Sequence, residues 1–133
     1  MKIIGYVCSH AGYAAADLAG EERLQYSPDI ILIRLPCAGR IDVVHLLKAF
    51  REGADMLFVA GCLEGNCHHH YGNHEARKRV DQAKSILDAL GMDGRRIEMF
   101  YLASNQGWKF KEIADEMMRR ASELGSNPLE GKG

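Results

Sequence analysis

The chain has 133 residues, 47% of them hydrophobic and 26% charged, with a formal net charge of −1. That is the size of one domain with enough apolar material for a core, and the near-neutral balance argues against a basic nucleic-acid-binding surface or a charged tail. No apolar stretch approaches a membrane span. Residues 1–7 carry one lysine and no small-residue cleavage site, so no signal peptide is expected. A cytoplasmic location is the default. In a reducing compartment, spaced cysteines are metal ligands or redox groups more often than disulfides.

Residues 2–7 read as a first strand, and the alanine-rich stretch at about 12–22 as a small helix. Residues 30–35 are a second apolar run, stopped by Pro36, which has no backbone donor. Residues 41–51 predict a helix whose Val43, Leu46, Leu47 and Phe50 recur at the 3.6-residue period, with Gly53 as its stop. Residues 56–60 form a third strand, followed by a polar loop over 61–72. Asn73 is a suitable N-cap for a helix reaching about Leu90, with Val80, Ala83, Leu87 and Leu90 as its buried stripe and Gly91 closing it. Residues 96–102 are a fourth strand. Residues 108–124 form the last helix, with Phe110, Ile113, Ala114, Met117 and Ala121 facing inward. Residues 125–133 read as a loose, flexible tail, which leaves 1–124 as the domain.

This alternation predicts an α/β chain, a single-domain flavodoxin-like (Rossmann-like) three-layer sandwich. The sheet is expected to be mostly parallel and four-stranded, in the order 2-1-3-4. Strands one and three then flank the switch point, at the C-terminal edge where ligands bind.

Cys8, Cys37, Cys62 and Cys67 are scattered over half the chain, yet each follows a predicted strand end. The fold would bring all four to one edge. Four converging thiolates suit an iron–sulfur cluster or a zinc ion. Unligated or redox-active thiols are the third reading, since a single buried cysteine is usually a small hydrophobe. Zinc sites favour tight C-x2-C pairs, whereas this chain has one loose pair and two isolated cysteines, which tilts the balance to a cluster. Gly39 permits close backbone approach. Arg40 would offset the charge of a tetrathiolate cluster or meet a partner. His68, His69 and His70 follow Cys67, with His74 nearby; consecutive histidines point in different directions, so a solvated loop or partner surface is favoured over ligation. Residues 12–20 lack a nucleotide-binding glycine pattern. Trp108 reads as core or rim rather than as a cofactor stacker. No acid–base or nucleophile constellation stands out, so electron transfer is more economical than independent catalysis.

Three local patterns resemble one family, the delta (D) subunit of methyl-viologen-reducing hydrogenase. Tyr13-Ala14-Ala15-Ala16-Asp17-Leu18-Ala19-Gly20, continued by Arg23 and Tyr26, is similar to its first helix. Ile33-Arg34-Leu35-Pro36-Cys37-Ala38-Gly39-Arg40 resembles its I-R-x-x-C-S-G-R. Gly61-Cys62-Leu63-Glu64-Gly65-Asn66-Cys67-His68, followed by His69-His70-Tyr71-Gly72-Asn73, resembles its G-C-H-P-G-D-C-H-Y-x-x-G-N and is the most diagnostic. The resemblance implies a [2Fe–2S] cluster. It also implies electron passage between a hydrogenase or formate dehydrogenase module and the flavin subunit of a heterodisulfide reductase. Many members read C-C-x-x-C where this chain has Val7-Cys8-Ser9-His10-Ala11. Cys8, Cys37, Cys62 and Cys67 are then the whole ligand set, with His10 or His68 as the groups that would complete an insufficient one. Leu63-Glu64 replaces the family's His-Pro, a change that bears on potential and partner contacts. The competing functions are a zinc-stabilised interaction domain held by the four cysteines and a thiol oxidoreductase using Cys62 or Cys67.

Overall fold

The computed structural model describes residues 2–8, 29–35, 41–62, 72–103 and 105–128. Four strands, β1 (Ile3–Cys8), β2 (Ile30–Leu35), β3 (Met56–Cys62) and β4 (Ile97–Leu102), form one sheet. Its order is β2-β1-β3-β4 and every pairing is parallel, as the alternation predicts. Three helices are described: α1 (Val43–Arg51), α2 (Gly72–Ala89) and α3 (Gly107–Leu124). The helix expected at 12–22 lies outside the described residues.

Alternating side chains of the central strands feed two cores. Ile4, Leu57 and Val59 pack with Leu46 and Phe50 of α1 and with Val80, Ala83 and Leu87 of α2. Ile3, Val7, Met56, Phe58 and Ala60 pack with Phe110, Ile113, Ala114, Met117 and Ala121 of α3. All five of these α3 residues are those its periodicity singles out. With helices on both faces the sheet is the middle of three layers, and β1 and β3 are apolar on both sides, as central parallel strands are.

Gly5 is where the second core requires glycine. A Cβ there would overlap the ring of Phe58. That ring is fully buried and makes edge contacts with Phe100 and Phe110, so it has no room to swing aside. Gly5→Ala should therefore destabilise the fold by about 2–3 kcal/mol through overpacking. Urea unfolding checks this, and an unchanged midpoint would contradict it.

Several boundaries differ from the sequence reading for local reasons. α1 starts two residues late because Asp42 caps it, its carboxylate accepting from the Val44 N–H at 2.8 Å. Its buried face is Leu46, Ala49 and Phe50, while Val43 and Leu47 are half-buried. Gly53 ends it at φ +108°, as expected. α2 starts at Gly72, which puts Asn73 inside the helix instead of at its cap. Leu90, expected in the buried stripe, is 65% exposed. The helix stops at Ala89, Gly91 turns the chain at φ +78°, and Met92 enters the core in its place. A 3-10 turn, Gly94–Arg96, precedes β4.

The loose tail expected from Gly125 begins later than that. Asn127 is buried, and its side-chain amide donates to the carbonyls of Phe50 (2.7 Å) and Ala54 (2.8 Å). Its backbone N–H donates to Asp55. At the edge strand β4, Glu98 meets Lys84 of α2 (3.1 Å) and Arg120 of α3 (3.2 Å). Burial pushes the Glu98 carboxyl up, but the Met99 N–H, Lys84 and Arg120 together hold it below the usual carboxylate range. A paired charge on an edge strand also discourages pairing with another sheet.

Candidate metal centre

Two of the four cysteines close neighbouring strands. Cys8 is the last residue of β1 and Cys62 the last of β3, one and two residues later than those strands were expected to end. The extra length comes from pairing, because Cys8 lies opposite Leu35 of β2 and Cys62 opposite Leu102 of β4. Between β1 and β3 the register runs to Val7 opposite Ala60. Cys8 is one residue beyond that pair and Cys62 two beyond it. Strand spacing and rise then put their Cα atoms about 6 Å apart. Both stand at the C-terminal edge of the two central strands, where an α/β sheet of this order binds its ligands.

Cys8 is 3% exposed and shares the pleat parity of Ile4 and Tyr6. β2 ends at Leu35, two positions before Cys37. Cys37, Arg40, His10, Cys67 and His68 lie outside the described residues, as does the His69–His70 pair. The chain re-enters the described fold at Ile41, which is buried; the guanidinium of Arg79 on α2 donates to its carbonyl at 2.6 Å. That contact ties the start of the α1 segment to α2, the helix that follows the Cys67 stretch in the chain. Among the described residues no three His, Cys, Asp or Glu side chains come together as a metal-binding group. The backbone positions of Cys8 and Cys62 nevertheless suit a shared centre. Thiolate is the donor that iron–sulfur clusters and structural zinc both take.

The same edge carries a residue whose role the sequence left open between core and rim. Trp108, in the first turn of α3, is 52% exposed and belongs to the rim. A groove of about 300 Å³ between β1, β2 and α1 has Tyr6, Leu35, Ile41, His45 and Lys48 among its lining residues. Burial, and secondarily Glu52, pushes the Tyr6 phenol up. Periodicity could not have found this groove, since it depends on where α1 sits across β1.

The family described as methyl-viologen-reducing hydrogenase, delta subunit, matches residues 3–125. This chain belongs to that family. It is 43% identical over 130 residues to the F420-non-reducing hydrogenase vhu iron-sulfur subunit of Methanocaldococcus jannaschii, covering 98% of this chain and 97% of that protein. The vhu iron-sulfur subunit from Methanococcus maripaludis is 45% identical over 127 residues, with 96% and 95% covered. The family's domain also occurs inside a much longer protein. The ferredoxin/F(420)H(2)-dependent CoB-CoM heterodisulfide reductase of Methanosarcina acetivorans has one large subunit that is 33% identical over 123 residues, which are 92% of this chain but 16% of that protein. Among the described residues, no helix is long and apolar enough to cross a membrane.

Proposed function

We propose that this chain is a small cytoplasmic iron–sulfur electron-transfer subunit. In this reading it relays electrons between a hydrogenase or formate dehydrogenase module and the flavin subunit of a heterodisulfide reductase-type complex. Cys8, Cys37, Cys62 and Cys67 would hold one [2Fe–2S] cluster, which when bound supplies a one-electron carrier. The observation that carries the reading is the placement of Cys8 and Cys62 at adjacent strand ends in a chain of this family. The names of its relatives support it: full-length ones are iron-sulfur subunits of a hydrogenase, and longer ones are subunits of a heterodisulfide reductase.

The residues have separable tasks. The paired ends of β1 and β3 fix two thiolates on rigid backbone. Burial of Cys8 keeps its sulfur from water and oxidant. Arg40 and His68 would act around the sulfur loops, against the thiolate charge or toward a partner. The whole edge would face the electron donor and acceptor, because strand ends at a switch point are where this kind of sheet meets its ligands.

Anaerobic purification followed by iron, acid-labile sulfide and zinc analysis tests the proposal. Equimolar iron and sulfide with visible absorption are expected. Zinc alone, without sulfide, would establish the zinc-stabilised interaction domain instead, and metal-free protein with a thiol that is alkylated in the native state would favour the oxidoreductase.

A further inference from the structure

We infer that Trp108 is the apolar anchor by which this chain docks on the large heterodisulfide reductase subunit. The inference rests on the electron-transfer reading above and assigns it a surface. Trp108 is the single tryptophan of the chain and is half exposed. It stands just beyond the end of β4, whose last residue, Leu102, pairs with Cys62. The core of this face closes without it, because Gly107, Phe110, Ile113, Ala114 and Met117 supply the buried side of α3.

The indole is held in place by its backbone. Gln106 Oε1 accepts from the Ala103 N–H at 2.8 Å, the Gln106 N–H donates to the Ala103 carbonyl, and the Gln106 carbonyl accepts from Lys109 and Phe110. Little ordering is then left to be done on binding, which favours affinity. The charges beside it on the helix are neutralised within the helix: Lys109 pairs with Glu112 at 3.9 Å and Lys111 with Asp115 at 2.7 Å. An aromatic centre inside a neutral polar rim is the anatomy of a protein–protein hot spot, whereas an anionic small ligand would call for free positive charge. The large reductase subunit is the partner chosen because two Methanosarcina proteins of that kind carry the counterpart of this domain within their own chains. The domain is thus joined to that protein where the two are one polypeptide. In a separate chain the same neighbour has to be held by a surface.

The test uses the reconstituted full chain titrated with the purified large reductase subunit from the same organism. As the only tryptophan, Trp108 should report its own burial by a saturable emission shift to shorter wavelength, measured against the emission of the partner alone. By calorimetry Trp108→Ala should weaken binding by about 30-fold or more, with the visible spectrum unchanged, and Trp108→Phe should lie between. Leu90 is as exposed but stands at the opposite edge of the sheet, so Leu90→Ser should bind as the parent does. Iron and sulfide content of the same sample reports separately on the cluster. The inference is overturned if Trp108→Ala binds within about twofold of the parent, if Leu90→Ser weakens binding equally, or if the partner leaves the emission unchanged.

Discussion

Replacing Cys62 by alanine should abolish the visible absorption of the reconstituted protein. Cys62 closes β3, a central strand paired on both sides, so its backbone cannot shift to let another donor take its place. A cluster of this type needs four ligands and the chain holds four cysteines, so no spare thiolate exists. Cys37→Ala should have the same effect. Cys67 lies beside His68 in the sequence, and its alanine variant should keep a weaker, shifted spectrum if an imidazole substitutes. Cys8→Ala is the most informative variant. Its position at the buried end of β1, beside Cys62, predicts complete loss. A full spectrum in Cys8→Ala would instead bring His10 into the ligand set. Far-UV circular dichroism separates loss of cluster from loss of fold, and the two are coupled to the extent that the bound centre stabilises the native chain.

Replacing Arg96 by alanine should cost about 3–5 kcal/mol of stability, a large share of the total for a domain of this size. The buried guanidinium donates to five carbonyls. Those of Met92 and Asp55 sit just before β4 and β3, and those of Leu124, Gly125 and Ser126 close α3 and follow it. Alanine would leave all five without this donor in a dry environment. Burial pushes the Arg96 pKa down while Asp55 and Asp93 oppose it; arginine's high intrinsic pKa keeps the charge. Lysine would not rescue the site, because one ammonium cannot span carbonyls on three segments. Urea unfolding should show a lower midpoint with the same slope. The folded fraction should keep its visible spectrum, since Arg96 precedes β4 and lies at the edge opposite the strand ends that carry Cys8 and Cys62. Loss of the cluster before unfolding would show that the two edges are coupled.

The amino-acid sequence by itself determined which segments become strands and helices, and with them the sheet order. Its strands are continuous apolar runs and the α3 stripe recurs at 3.6 residues, so local chemistry was enough. It also placed Cys8 and Cys62 at strand ends, because the apolar runs stop there. Tertiary contacts decided the rest. Cys8 and Cys62 became the closing residues of β1 and β3 only through pairing with β2 and β4, which prolongs each strand past its apolar run. Leu90 left the core because Gly91 turns the chain before the helix can bury it. Asn127 joined the fold because carbonyls of Phe50 and Ala54, more than seventy residues away, needed donors. Arg96 reads as an ordinary surface charge until three chain segments converge on it. Trp108 is as apolar as any core residue, and only the packing of Phe110 and Ile113 beneath it leaves the indole at the rim. Periodicity acts over a few residues and is legible in one dimension. Hydrogen bonds between distant segments, and the choice of which apolar side chain is left outside, depend on the packed arrangement alone.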